Sequence, residues 1–455
     1  MNLNRMNKSL VILCLITLTL GSCVQKQLVK DLQVTDANTP LHLLNPDYPV
    51  QYGQTTLDSI KADIDKVYNY LNNVTSTVLE NKKDGAVIED IALIDTNTVF
   101  EKGDFRLISY EWGVTYGAML RAAEVTKDQK FSNYTLDRLA FIAEVLPKFK
   151  ELEEAHPGYR SPVHSVTSPA ALDDAGSMCA AIIKAQAFAQ IGEDFSPIVG
   201  NYIDYIMNKE FRLSDGTLAR NRPLKNTIWL DDLYMSLPAL VQMGKQRGEQ
   251  RYFEEAFRQF WLFSQKMYMP EKGLYRHGWV EGMEPHPAFH WARANGWALL
   301  TKVEIINVLP QNDPQRNKLL SQYKRQVEAL ANLQHGTGFW HQLLDRNDSY
   351  LETSATAIYA YCIARGINAG WLDAQAYGPM VLQAWNAVSS KINAEGQVEG
   401  TCVGTGMGFD PAFYYYRPVN KYAAHGYGPT ILAAAEIYQM LSNKKFEIND
   451  SAVQF

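Results

Sequence analysis

The sequence predicts an all-α fold: an (α/α)6 barrel in which six helical hairpins close into a ring. Three observations carry the prediction. Apolar residues recur at helical spacing in twelve segments. Those segments alternate between one-sided and all-round apolar faces. Clusters of aromatic, acidic and glycine residues return about every sixty residues, the mark of a repeat architecture.

In chain order, segment 55–74 opens the series, and 110–125 begins at Glu111-Trp112-Gly113 and is followed by 131–154. Segment 173–190 starts at Asp173-Asp174-Ala175-Gly176, and its Ser177-Met178-Cys179-Ala180-Ala181-Ile182-Ile183 run is apolar nearly all round, so it must be buried on all sides. After 195–209 comes 232–247, opened by Asp231-Asp232. In 250–268, Tyr252, Phe253, Ala256, Phe257 and Phe260 recur three and four apart, an amphipathic outer helix. Segment 294–308 follows Arg293-Ala294-Asn295-Gly296-Trp297, and then come 313–333, 354–368 after Glu352-Thr353-Ser354, 373–392, and 427–443 after His425-Gly426-Tyr427-Gly428. The markers Trp112, Asp174, Asp232, Arg293, Ser354 and His425 stand 62, 58, 61, 61 and 71 residues apart. That interval suits one helix pair with two connections. The even-numbered, more apolar helices would line the inside, with their N-termini and loop clusters converging on one mouth. An open helical solenoid is the alternative. No alternating run is long enough for a large sheet, although a short hairpin fits Leu213 to Arg220.

A globular composition, 46% hydrophobic and 20% charged over 455 residues, excludes disorder and a small disulfide scaffold. With 43 Lys and Arg against 49 Asp and Glu, the net charge of -6 argues against a nucleic-acid partner. At the N-terminus, Arg5 and Lys8 precede an apolar run from Leu10 to Leu20, too short to span a bilayer, and then Leu20-Gly21-Ser22-Cys23. The order resembles a bacterial lipoprotein signal over residues 1–22, with the lipid on Cys23, a tether over 23–50 and one catalytic domain over 51–455; a plain secretory signal is the alternative. Cleavage would leave a charge of -8, because the leader removes two bases and no acid. The membrane would then be met through the anchor alone. Val24-Gln25-Lys26-Gln27 carries no acidic run, which favours the periplasmic face of the outer membrane over the cell surface. Cys179, Cys362 and Cys402 show neither zinc spacing nor a disulfide framework.

Four stretches together carry a resemblance: Trp229-Leu230-Asp231-Asp232-Leu233-Tyr234-Met235, Gly273-Leu274-Tyr275-Arg276-His277-Gly278-Trp279, Trp291-Ala292-Arg293-Ala294-Asn295-Gly296-Trp297 and Gly338-Phe339-Trp340-His341-Gln342. They resemble, in the same order, glycoside hydrolase family 105, the unsaturated rhamnogalacturonyl hydrolases. The resemblance implies an enzyme that removes a 4,5-unsaturated uronic acid from the non-reducing end of acidic oligosaccharides left by a polysaccharide lyase. Protonation of C4 of the enol ether gives an oxocarbenium-like centre at C5; water adds there, and the hemiketal collapses with release of the leaving sugar. One carboxyl group can give the proton and then accept one from water. Neither a covalent nucleophile nor a metal or other cofactor is required.

Asp231 matches the acid of the family's W-x-D-x-L-[FY]-M pattern. A helix N-cap is the plainer use of such an Asp, and the adjacent Asp232 could take that task. Asp173 and Asp174 are alternatives for a second aspartate that holds ring hydroxyls. Arg293 suits the substrate carboxylate, because its guanidinium can bind both oxygens. His277, Trp291, Trp297, Trp340, Gln342, Trp112 and Tyr116 complete the expected sugar contacts, with His341 beside them. Packing is the commoner use of each Trp. Gly404-Thr405-Gly406-Met407-Gly408 lacks a preceding strand and a GK[ST] ending, so a loop near the mouth fits it better than a phosphate site. Two other readings stay open: another six-hairpin glycosidase or polysaccharide lyase, and a non-catalytic glycan-binding lipoprotein.

Overall fold

A computed structural model of the protein describes residues 55–189 and 192–448, with residues 35, 37–38 and 453–454 besides. Contacts divide the chain into Met1–Val50 with Asn449–Ala452 and, as a second unit, Gln51–Ile448 with Val453–Phe455; the architecture below is that of the second. The leader, Cys23 and all of the tether except residues 35, 37 and 38 lie outside the described residues. No described helix is long and apolar enough to cross a membrane.

Twelve long helices form among the described residues. They are α1 Leu57–Val74, α2 Tyr110–Thr126, α3 Gln129–Ala155, α4 Leu172–Phe188, α5 Ser196–Asp204, α6 Leu237–Arg247, α7 Gln250–Met267, α8 Ala292–Val308, α9 Pro314–Ala331, α10 Thr353–Asn368, α11 Ala374–Ser389 and α12 Tyr427–Asn443. Helices α2, α4, α6, α8, α10 and α12 pack each on the next, and α12 returns to α2, so the ring is closed. Outside it, α3, α5, α7, α9 and α11 each cover the inner helix that precedes them, and α1 covers α12. Closure settles the choice between barrel and open solenoid.

Side-chain chemistry explains which helix goes where. Every residue of α8 from Ala292 to Ile306 is buried, whereas α9 buries only Leu319, Tyr323, Gln326, Val327 and Leu330, one stripe three and four apart. Small residues let the inner helices approach closely: a Cβ on Gly176 would lie 1.8 Å from the Met235 carbonyl oxygen. At the C-terminal end of the ring, Glu436 of α12 pairs with Arg121 of α2 and Arg365 of α10, and Lys184 of α4 pairs with Glu304 of α8. These pairs occupy that end of the barrel and leave the N-terminal end for chemistry.

The connections at that N-terminal end carry short strands: β1 Leu79–Asn81, β2 Val87–Ile88 and β3 Thr98–Phe100 form one sheet between α1 and α2. Then come β4 Thr227–Trp229, β5 Tyr268–Met269, β6 Leu274–Tyr275, β7 Gly278–Val280, β8 Trp340–His341 and β9 Leu351–Glu352, paired β4 with β7, β5 with β6 and β8 with β9. Strands β10 Glu447–Ile448 and β11 Val453–Gln454 pair after α12. The expected hairpin at Leu213 to Arg220 is present, with Leu213 N–H on the Thr217 carbonyl and Gly216 at φ +84° in its turn.

Two boundaries differ by about five residues from the sequence expectation, the others by three or fewer. The sixth helix, expected from residue 232, starts at Leu237, because Pro238 has no N–H to extend the helix backward and Leu230–Leu233 forms a 3-10 turn instead. The fifth ends in a single π turn over Tyr205–Lys209.

Candidate active site

Strand pairing sets the centre of the site. In the β4–β7 ribbon Trp229 lies opposite Gly278, and the Leu230 N–H donates to the His277 carbonyl at 2.9 Å. Asp231 and His277 therefore meet at the ribbon's end although 46 residues separate them: His277 Nε2 is 3.1 Å from Asp231 Oδ2. His277 is 1% exposed, and its ring lies 4.6 Å from that of Trp291. Its Nδ1 is 2.8 Å from the Tyr414 hydroxyl, which also accepts from the Gly408 N–H at 3.1 Å.

This chain of contacts has two proton arrangements. With Asp231 ionised, the Tyr414 O–H donates to Nδ1 and the Nε2–H donates to Oδ2. With Asp231 protonated on Oδ1, the same Nε2–H still donates to Oδ2 and the Tyr414 O–H still donates to Nδ1. Both arrangements keep every partner satisfied, so the carboxyl can give up and regain a proton without rearrangement. Asp231 Oδ1 takes no hydrogen bond among the described residues and is free for a reacting group. Helix capping is not its role, since the 3-10 turn that carries it has no side-chain cap.

Next to this pair stands Arg220, which supplies all its forks to two aspartates. It donates to Asp232 from Nε at 3.0 Å and Nη2 at 2.6 Å, and to Asp173 from Nη1 at 3.0 Å and Nη2 at 3.1 Å. Its guanidinium lies 4.2 Å from the Trp229 ring, so one arginine orients two acids and the indole next to Asp231. Burial pushes the Asp232 carboxyl up to about 7 against the pull of Arg220, and burial likewise raises Glu210. Asp173 and Asp174 are now distinguished. Asp173 turns to Arg220, while Asp174 bends back to accept the Ala170 N–H at 2.8 Å and faces Tyr202 and Tyr205 on the outer side. As a catalytic candidate Asp174 is corrected: it serves the start of α4.

A third group joins α2 to the loop before α12. The Tyr110 hydroxyl lies 2.5 Å from His425 Nε2, with Glu111 3.6 Å away. Burial and the nearby Arg293 charge hold His425 well below the usual histidine range, and burial holds Tyr110 well above its own. The phenol is therefore the donor and the neutral imidazole the acceptor. Asp231, Asp173, Glu111 and Arg293 all lie close enough to Tyr110 to act on it electrostatically.

Arg293 differs from its expected role. It is 1% exposed; Nη1 donates to the Cys402 carbonyl at 2.7 Å and to Ser354 Oγ at 3.2 Å, Nη2 to the Val403 carbonyl at 2.7 Å, and Glu352 is its buried counter-ion at 3.8 Å. Both terminal nitrogens hold the segment that begins the glycine-rich loop, while the buried Nε has no partner among the described residues. The loop lies on the ribbon: a Cβ on Gly278 would meet Met407 Sδ, and one on Gly406 would come within 3.0 Å of Trp229.

The remaining expected sugar contacts are mostly packing residues, which corrects the sequence reading. Trp112 donates to the Tyr134 hydroxyl, Tyr116 to the Leu107 carbonyl and Trp340 to the Leu330 carbonyl, all three fully buried. Trp297 is 1% exposed and stacks on Tyr234. Large apolar rings are driven out of water more strongly than they are held at a wet mouth. Trp291 is a buried floor under His277 and Arg293. Gln342 is buried and points to Cys402 Sγ and the Tyr414 carbonyl, and His341 binds the Ser349 carbonyl. Arg220, Tyr414, Tyr110, Glu111 and His425 were not among the expected site residues. Arg220 lies in the foreseen hairpin, and Glu111 and His425 in two of the periodic clusters; nothing local marks Tyr414, 137 residues from the histidine it touches.

The model for Glycosyl Hydrolase Family 88 matches residues 70–441. The unsaturated rhamnogalacturonyl hydrolase YesR of Bacillus subtilis is 28% identical over 248 residues, 53% of this chain and 69% of that protein. An unsaturated 3S-rhamnoglycuronyl hydrolase of an Alteromonas species is 28% identical over 215 residues, 46% of this chain and half the length of that protein. The crystal structure of a possible member of the GH105 family from Salmonella enterica superposes with a TM-score of 0.69 at 26% identity, covering 90% of this chain and 99% of that one.

Proposed function

The chain belongs to glycosyl hydrolase family 88, and from that membership and the surroundings of Asp231 we propose that it removes a 4,5-unsaturated uronic acid from the non-reducing end of lyase-generated oligosaccharides. The observation that carries the reading is the Asp231–His277–Tyr414 chain, in which one carboxyl oxygen is held by the imidazole and the other is free to carry the reacting proton. Asp231 in its acid form protonates C4. The resulting carboxylate takes a proton from the water that adds at C5, and the hemiketal then opens to release the leaving sugar. Asp173, one-third exposed and held by Arg220, is the second aspartate, placed to accept from ring hydroxyls. Trp229 is the ring wall. His277 and Tyr414 act by holding Asp231; Arg293, Trp291 and Gln342 shape the floor and loop around it.

Each element of the chemistry has a counterpart among these residues, and the route needs no second carboxylate at a fixed distance, unlike ordinary glycoside hydrolysis. The curated relatives with the two names above act on unsaturated substrates, which favours the same class here. A lipid anchor on Cys23, with the enzyme on the periplasmic side of the outer membrane, is part of the proposal and is supported by the order of basic, apolar and small residues before that Cys.

The test is optical. Incubating the enzyme with unsaturated uronyl disaccharides should remove the enoate ultraviolet absorbance. A panel on which the absorbance persists, or one in which saturated substrate gains absorbance as with a lyase, would reject the reading.

A further inference from the structure

Beyond the centre at Asp231, the sheet β1–β3 and the connection to α2 build a second recessed surface. One cavity of about 450 Å³ lies at the mouth, where Glu111, Val403, Gly404 and His425 line it. A neighbouring cavity of about 530 Å³ runs outward under the sheet. The two share Asp104, Phe105 and Arg106, so they form one groove leading away from Glu111 and His425. The outer part is lined by Lys82, Lys102, Arg106 and Arg160 against only Glu101 and Asp104. Asp104 is already engaged by the Tyr70 hydroxyl at 2.7 Å, and Lys82 by the Thr96 carbonyl. Lys102, Arg106 and Arg160 are exposed and make no hydrogen bond or ion pair among the described residues.

Three unpaired cations facing one groove are conspicuous on a chain whose net charge is -6. Exposed ion pairs are worth little in water, and three bases gathered on one groove with no acid paired to them are free to bind an external anion. Tyr159 and Phe105 also line the cavity, and their rings suit the apolar faces of sugars. The groove starts at the mouth, at Glu111 and His425, the two residues beside Tyr110.

We propose that this groove is a subsite for the rest of the substrate, and that Lys102, Arg106 and Arg160 bind carboxylates of further uronic acid residues on the leaving side. The proposal rests on the function proposed above, and it separates the enzyme's preference for length and charge from its chemistry at the double bond. Arg106, at the junction of the two cavities, meets the first internal carboxylate; Lys102 and Arg160 meet the next.

Two measurements test it. Calorimetric titration with saturated trigalacturonate, which has no double bond to hydrate, reads the groove without turnover. The parent should bind it, and the triple variant Lys102→Ser, Arg106→Ser, Arg160→Ser should bind on the order of tenfold more weakly, since each exposed pair is worth a few-fold at most. Equal affinity in parent and variant, or no binding by the parent, would overturn the proposal whatever the enzyme does to unsaturated sugars. In turnover, the ratio of kcat/KM on an unsaturated tetrasaccharide with internal uronates to that on the unsaturated disaccharide should fall similarly in the variant. The same ratio for a tetrasaccharide with neutral internal sugars should hold, and a fall there too would show that shape rather than charge is read. Should the triple variant fold poorly, Lys102→Ser and Arg160→Ser alone, both at exposed positions, give the same readings in smaller measure. The proposed function fails separately, by an absence of absorbance loss on the disaccharide.

Discussion

His277 and Asp231 are joined by one hydrogen bond of 3.1 Å, Nε2 to Oδ2, at the end of a two-stranded ribbon that leaves the histidine no freedom to turn. The carboxyl is thus fixed on one oxygen and open on the other. A general acid must lie within hydrogen-bond reach of the atom it protonates, and the imidazole holds one oxygen so that the other can be aimed there.

Replacing Asp231 by Asn keeps the shape and removes the transferable proton. Turnover of an unsaturated disaccharide should fall by about 10²–10⁴-fold with the thermal unfolding temperature close to the parent's. The rate of absorbance loss checks the first, a melting curve the second; an active variant would remove Asp231 from the role of acid.

Tyr414→Phe deletes the hydroxyl that holds His277 Nδ1 and accepts the Gly408 N–H. A buried hydrogen bond left unmade costs about 1–3 kcal/mol, so kcat should drop roughly tenfold or more. Because the role is positioning of the Asp231–His277 pair, the pH profile of kcat/KM should also move. A drop in stability with an unmoved profile would mean Tyr414 only packs.

Arg220→Gln leaves Asp173, Asp232 and Glu210 without their shared cation. Breaking a buried pair costs about 3–5 kcal/mol, less here because the arginine side chain is 16% exposed. Asp232 is already raised to about 7 in the folded protein, so the fold binds its proton more tightly than the unfolded chain does, and stability declines as pH climbs from about 4 toward 7. Without Arg220 that decline should steepen and extend upward. Melting temperatures at pH 5 and pH 8 should therefore show a larger deficit at pH 8; equal deficits would contradict the charge argument.

His425→Gln preserves an acceptor for Tyr110 and removes a titrating ring. The folded pKa of His425 lies well below 6.5, so the unfolded chain takes up the proton first and the parent loses stability as pH falls below about 6.5. That loss approaches about 1.4 kcal/mol per pH unit for one proton. Urea unfolding at pH 7 and pH 5 should show the variant gaining on the parent at the lower pH.

Much of this was legible beforehand. The alternation of α8, apolar all round, with α9, apolar on one stripe, is a local property of side chains, and it foretold inner and outer rings. Asp231 and His277 stood out by their matching motifs. Neighbouring residues do not mark positions whose meaning depends on distant partners. Arg220 is an unremarkable base in a hairpin until Asp173, 47 residues earlier, and Asp232 converge on it. Trp112, Trp297 and Trp340 were expected at the mouth, yet burial of their rings was the stronger force. Arg293 was expected to await a carboxylate and instead holds two carbonyls of the loop before Gly404.

By itself the sequence determined the class of fold and the sixty-residue repeat, because periodicity is written in neighbouring residues, and its resemblance to family 105 singled out Asp231 and His277. Only the tertiary structure decided which aspartate of each doublet faces the site, which aromatic rings pack rather than bind, and where unpaired cations gather beside the mouth. Those outcomes turn on competition for burial and for hydrogen-bond partners, and such competition exists only once segments far apart in the chain are brought into contact.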